Sequence, residues 1–346
     1  MRSGRAEGSA GRVNPRAPSA YLETGRLANL EEVASATMST VVGGPAHGCR
    51  AVDLRVSGGI DARILPDRGF DLGAAWFGGV PLAWLSPVGE TRPLDAPSGM
   101  DWMDAFGGGL VTTCGLRNVG APSEGHGLHG RYSHLRASDL LVERALENGE
   151  AILTARATID EVEAPGGRLR VQRAVRTRTG RGLVELTDVT TNLGPAPEPA
   201  PILYHVNVGS TLWGEGSRLR IDSEAVVPRD EDAARGAGSW MLPQPASPDA
   251  RELVFEHRFP LQPSAWGRAA VVSPSVGLEL ILDWRQDALP RFHQWVHPRT
   301  GIWALGLEPA NCSVRGRAAD RAAGTLPILE PGQERTTKLR ILVRPA

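Results

Sequence analysis

The chain has 346 residues, 41% apolar and 22% charged, and its 38 basic and 39 acidic residues leave a formal charge of −1. That balance excludes a disordered or fibrous chain, and it leaves no global field for gathering nucleic acid or an anionic membrane. Lys338 is the only lysine, so a Schiff base or a P-loop has almost no candidate residue.

Residues 1–20 are rich in Arg, Gly, Ser, Ala and Pro and lack the apolar stretch of a secretory signal. They read as a disordered extension ahead of a single domain over residues 21–346. Residues 28–39 predict a helix capped by Asn29. Residues 51–57 and 60–65 favour strands, and Gly58-Gly59 between them signals a hairpin. Residues 100–106 predict a second, short helix.

Residues 151–162, 168–178 and 182–192 alternate apolar and polar side chains with period two, so each stretch buries one face. Further strand-like runs cover 218–222, 252–257, 277–284, 301–307 and 336–343. Residues 228–250, rich in Pro, Ala, Asp and Arg, read as a long surface loop. No apolar run is long enough to cross a membrane as a helix, and no strand–helix alternation marks a dinucleotide fold. With 41 glycines and 27 prolines as punctuation, the pattern predicts an all-β fold of two large antiparallel sheets packed face to face. Cys49, Cys114 and Cys312 are widely spaced, form no CxxC, and read as reduced thiols of a cytoplasmic protein.

Four islands break the alternating background: residues 107–120, 127–131, 204–209 and 306–312. Glu308 ends an apolar run and precedes Pro309, a setting that strips water from a carboxylate and makes it a better base near neutral pH. On a strand, Leu203, His205 and Asn207 share one face and Tyr204 and Val206 the other. His205 is then a candidate proton donor beside a polar Asn207. His129 and Arg131, two residues apart, would share a face, with the arginine offering planar donors to hydroxyls or an acid group. His126, His129 and His134 match no common ligand spacing, and His293 and His297 form HxxxH without the glutamate of a zinc helix. No metal is therefore expected. No serine stands in GxSxG, which argues against a serine hydrolase.

Taken in order, LPDRGFDL (65–72), PLAWLSPVG (81–89), GGGLVTTCGLRNVG (107–120), GLHGRYS (127–133), YHVNVG (204–209), GLEPANC (306–312) and LEPGQERTTKLRI (329–341) resemble the aldose 1-epimerase, galactose mutarotase-like superfamily. The closer resemblance is to its DUF4432-type bacterial branch. The resemblance implies a β-supersandwich with a sugar-binding cleft on one sheet and no cofactor. It implies that His129 contacts the sugar, that His205 is the general acid, and that Glu308 is the general base. It also implies a cleft arginine, for which Arg117 and Arg68 compete. Arg131 stands where a related group acting on hexose 6-phosphates carries an arginine, which brings a phosphorylated or acidic monosaccharide into view. Trp295 or Trp303 would stack on a ring face.

The activity so implied is interconversion of sugar anomers by ring opening, with acid and base on opposite sides of a hemiacetal. An epimerase or isomerase acting at another carbon, a lyase using Tyr204 and Asn207, and a sugar-binding protein without turnover are the alternatives.

Overall fold

The computed structural model describes residues 25–164, 166–260 and 265–346; the expected N-terminal extension lies outside them. In chain order the strands begin with β1 (Ala34–Thr40), β2 (Arg50–Val56), β3 (Ile60–Leu65), β4 (Asp71–Phe77), β5 (Val80–Pro81), β6 (Thr112–Gly115) and β7 (Ser138–Glu147). Next come β8 (Glu150–Val162), β9 (Arg168–Arg178), β10 (Leu183–Asn192), β11 (Glu198–Pro199), β12 (Ile202–Val208), β13 (Arg218–Ile221) and β14 (Ala225–Pro228). The series ends with β15 (Leu253–Arg258), β16 (Trp266–Ser273), β17 (Leu278–Arg285), β18 (Arg291–His297), β19 (Ala304–Ala310), β20 (Ile328–Leu329) and β21 (Glu334–Pro345). Helices α1 (Glu231–Gly236) and α2 (Arg317–Ala322) are short.

An eight-stranded sheet runs β13-β16-β17-β21-β10-β9-β8-β7, and a six-stranded sheet runs β14-β15-β18-β19-β12-β6. A five-stranded meander, β1 to β5, is tied to the six-stranded sheet by bridges such as Leu72 to Val111 and Ala83 to Val208. The ladders of both large sheets are antiparallel.

The alternation read from residues 168–178 is the burial pattern of β9, whose Leu169, Val171, Arg173 and Val175 are buried. Leu169, Val171 and Val175 join Leu54 and Ile64 of the meander and Tyr204, Val206 and Leu305 of the six-stranded sheet in one core cluster. Each fully buried aliphatic or aromatic side chain there contributes about 1.5–3 kcal/mol.

One polar knot crosses this core. Arg173 on β9 pairs with Asp188 on β10 and with Asp71 on β4, at 2.6 Å each. The Tyr204 hydroxyl on β12 donates to Asp188 at 2.6 Å and meets the Thr337 hydroxyl at 2.5 Å. Burying these charges is tolerable because hydrogen bonds satisfy them. The knot fixes β12 to the opposite sheet by its Tyr204 face and turns His205 the other way.

Three elements differ from expectation. The helix expected over 28–39 is a single 3-10 turn, Leu30–Glu32, followed by β1. Asn29 does cap that turn, accepting from the Glu31 N–H at 2.9 Å. Beyond it, Val33 and the Ser- and Thr-rich run favour a strand, and pairing with β2 supplies the backbone bonds. The expected 228–250 loop contains α1, because Asp230 accepts from the Ala233 N–H at 2.9 Å and caps it. The strand placed at 301–307 starts at Ala304 and continues through Pro309 to Ala310, which brings Glu308 inside the sheet.

Candidate active site

His205 and Glu308 meet because β12 and β19 are neighbours. The register pairs Leu203 with Ala310 and Val206 with Leu307, which sets positions 205 and 308 opposite each other. Nε2 of His205 lies 3.1 Å from Oε1 of Glu308, and both side chains are almost fully buried. They form part of the wall of a cleft of about 660 Å³, with Trp102, Phe106, His129 and Trp295.

Gly306, two residues before Glu308, makes this contact possible. A Cβ there would stand 2.7 Å from Cε1 of His205 and 2.8 Å from Oε1 of Glu308. Aromatic rings close around the imidazole: Phe106 at 5.4 Å and Trp295 at 5.2 Å between centroids.

This apolar casing sets the electrostatics. Burial, with a smaller effect from the Glu252 carboxylate, pushes Glu308 up to about 8, and Arg229 opposes the rise. Burial, with a smaller effect from His129, pushes His205 down to about 3, against the pull of Asn207. Near neutral pH the touching pair therefore holds one proton between them. It can sit on the carboxyl or pass to the imidazole without changing the net charge.

His129 is also in the cleft wall, its ring tilted at 47° against Trp102 with 4.7 Å between centroids. Its Nδ1 accepts from the Gly120 N–H at 3.3 Å, and burial lowers its pKa to about 4. The ring is neutral with its proton on Nε2, a hydrogen-bond donor suited to a hydroxyl. Trp295 lines the cleft and donates from Nε1 to Glu252 at 2.9 Å. Trp303 does not line it; its indole N–H is held by the Trp213 carbonyl at 2.6 Å.

The other expected contact residues lie elsewhere. His129 has φ of 57° and is followed by Gly130 in a turn, so Arg131 does not share its face. Arg131 instead donates to the fully buried Glu161 at 2.9 Å and to the Val162 carbonyl at 2.8 Å. Arg117 is buried against Glu198, away from the cleft.

Arg68 is also outside. It donates to the carbonyls of Ser133 and Ala105, both at 2.7 Å, and so braces the 3-10 turn Asp101–Ala105 that presents Trp102 and leads to Phe106. Asn207 shares the His205 face, but it is fully buried and donates to the carbonyls of Gly109 at 2.8 Å and His205 at 2.9 Å. It supports the strand rather than lining the cleft.

The arginines that do line the cleft are Arg229 and Arg315, and Glu252 joins them. Arg229 pairs with Glu252 at 2.9 Å. Neither arginine stands out in the sequence: Arg229 lies at the start of the Pro-rich segment, and Arg315 follows the Glu308 island by a few residues. Among the described residues no cluster of three metal-ligating side chains occurs, and no helix is long and apolar enough to cross a membrane.

A family model described as a domain of unknown function, DUF4432, matches residues 46–343. No curated protein matches the chain. Among solved structures, a Klebsiella pneumoniae subsp. pneumoniae MGH 78578 protein provisionally named an aldose 1-epimerase superposes with a TM-score of 0.83 at 24% identity, over 89% of this chain and 83% of that one. A galactose mutarotase-like protein from Clostridium acetobutylicum gives 0.62 at 11% identity, over 91% and 100%. An aldose epimerase homologue from C. elegans gives 0.53 at 13% identity, over 84% and 97%. At these identities the likeness is one of fold, and the fold is galactose mutarotase-like.

Proposed function

The chain belongs to the DUF4432 family, and from its fold and the pairing of His205 with Glu308 in the cleft we propose that it is an isomerase of the aldose 1-epimerase type. The observation that carries this reading is the 3.1 Å contact between a buried imidazole and a buried carboxyl inside one pocket. Opening a hemiacetal ring requires a proton to leave the anomeric hydroxyl and another to reach the ring oxygen. Both oxygens are bonded to the same carbon. Acid and base must therefore act close together within one pocket, and this pair stands 3.1 Å apart.

Glu308 takes the hydroxyl proton while His205 delivers its proton to the ring oxygen. The bond between the anomeric carbon and the ring oxygen breaks, leaving the open-chain aldehyde. After rotation about the neighbouring carbon–carbon bond, the same groups work in reverse and close the ring on the other face. His129 donates to a sugar hydroxyl, and Trp295 offers a flat apolar surface to the ring. Each positioned proton-transfer group contributes roughly 100- to 10,000-fold.

A lyase reading is disfavoured because the Tyr204 hydroxyl is committed to Asp188 and Thr337 on the far side of the strand. The three free, buried thiols suit a reducing compartment, and we place the protein in the cytoplasm. Saturation-transfer NMR on a panel of free and charged aldoses tests the activity: the protein should speed exchange between α and β signals for at least one of them. Rates equal to the spontaneous ones throughout would reject it.

A further inference from the structure

A second cavity, of about 310 Å³, adjoins the cleft and shares Arg229, Val254, Val314 and Arg315 with it. The register of the six-stranded sheet places it. Glu308 faces His293 across β18, and His293 faces Glu256 across β15. One side-chain step further along, the same face carries Arg291, opposite Ala310, and then Arg258 on β15, opposite Ala225. A two-residue step and one strand spacing put the Arg291 backbone about 8 Å from that of Glu308.

Arginines outnumber carboxylates in the lining of this second cavity, although Arg291 also lies 3.8 Å from Asp320. Arg229, Arg258, Arg291 and Arg315 line it against the carboxylates of Glu256 and Asp320. Arg291 is engaged by Glu256 at 2.7 Å, and Arg229 by Asp230 and Glu252. The Arg315 guanidinium has no side-chain partner among the described residues, although its backbone N–H donates to the Ser313 hydroxyl at 3.2 Å. Arginine forks of this kind suit the oxygens of phosphate, sulfate or carboxylate, which accept two parallel hydrogen bonds.

We propose that the arginine-lined cavity receives an anionic substituent of the sugar whose anomeric carbon sits at His205 and Glu308. The substrate class is then an aldose phosphate, a sulfated aldose or a uronic acid rather than a neutral hexose. The offset of the arginines along the sheet matches a group carried at the end of the ring remote from the anomeric carbon. This inference rests on the isomerase reading of the cleft for the orientation of the sugar.

Calorimetry with glucose, glucose 6-phosphate, glucose 6-sulfate and glucuronate, and with the galactose series, tests it. The double variant Arg258→Gln/Arg315→Gln serves as control. Both residues are exposed, so the substitutions leave the core untouched.

At least one anionic sugar should bind about tenfold or more tighter than its neutral parent, and the double variant should reduce that preference to about threefold or less. Equal affinity for neutral and charged sugars, a preference unchanged in the variant, or no binding of any anionic sugar would overturn the proposal. Anomer exchange is read by NMR on the same samples. Charge-selective binding with no acceleration of exchange would retain the anion site and reject the isomerase. Exchange of neutral and charged sugars with equal kcat/KM would do the reverse.

Discussion

Nε2 of His205 lies 3.1 Å from Oε1 of Glu308, across two neighbouring strands drawn from distant parts of the chain. Burial favours the neutral form of each group, the carboxyl pushed up to about 8 and the imidazole down to about 3. The contact makes one mobile proton the property of two residues.

A pH profile follows from that shared proton. The working form is the singly protonated pair, which persists between the two shifted values. The catalysed part of kcat/KM should be level from about pH 5 to 7. It should then fall about tenfold per pH unit as the pair loses its proton above about 8. Exchange rates corrected for the spontaneous reaction at each pH check this; activity rising steadily through pH 9 would contradict it.

Stability should show the same shift from the other side. Below about pH 4.5 the Glu308 carboxyl is protonated in both folded and unfolded chains and costs nothing. As pH rises towards 8, the unfolded chain releases that proton while the folded one keeps it, so stability is lost. Glu308→Gln removes this loss and should raise the Tm by about 2–4 °C at pH 7.5, with a smaller effect at pH 4.5. Thermal unfolding at the two pH values decides it; an equal or larger gain at pH 4.5 would be the wrong sign.

Gly306 tests the geometry without removing a catalytic group. An added methyl would meet the ends of the His205 and Glu308 side chains rather than backbone. Gly306→Ala should therefore fold with a Tm close to the parent and lose about 100-fold or more in exchange, the lower end of what a positioned proton-transfer group gives. Kinetics beside a melting curve measure both; a folded and fully active variant would show that the contact is not needed.

Tyr204 separates the isomerase from a lyase. Tyr204→Phe removes a donor from the buried Asp188 and should cost about 1–3 kcal/mol, seen as a Tm fall of several degrees. At a temperature where the variant is folded, its exchange rate should stay within about threefold of the parent. Loss of turnover without loss of stability would place the hydroxyl in the chemistry.

The strand-rich fold was legible because period-two burial writes itself into β9 and its neighbours, whereas β12, buried along its whole length, carried no such alternation. His205, Glu308 and His129 could be named because polar groups in apolar, glycine-rich settings call for a reason, whereas Trp295 was one of two tryptophans offered for stacking on the ring. The arginines could not. Arg117 and Arg131 stand in those same islands and Arg68 in the matching stretch 65–72, yet they neutralise or brace buried groups behind the cleft. Arg229 and Arg315 reach the cleft from surface segments whose course depends on long-range packing, which local pattern does not encode. The strand β1 was misread for a similar reason, since its pairing with β2 decides its conformation.

Anomer exchange measured by saturation-transfer NMR, on the most responsive sugar, in the parent protein, Glu308→Gln and His205→Ala bears on the central claim most directly. Both variants should fold and exchange at least about 100-fold more slowly than the parent. Folded variants that exchange the sugar at the parental rate would contradict the account.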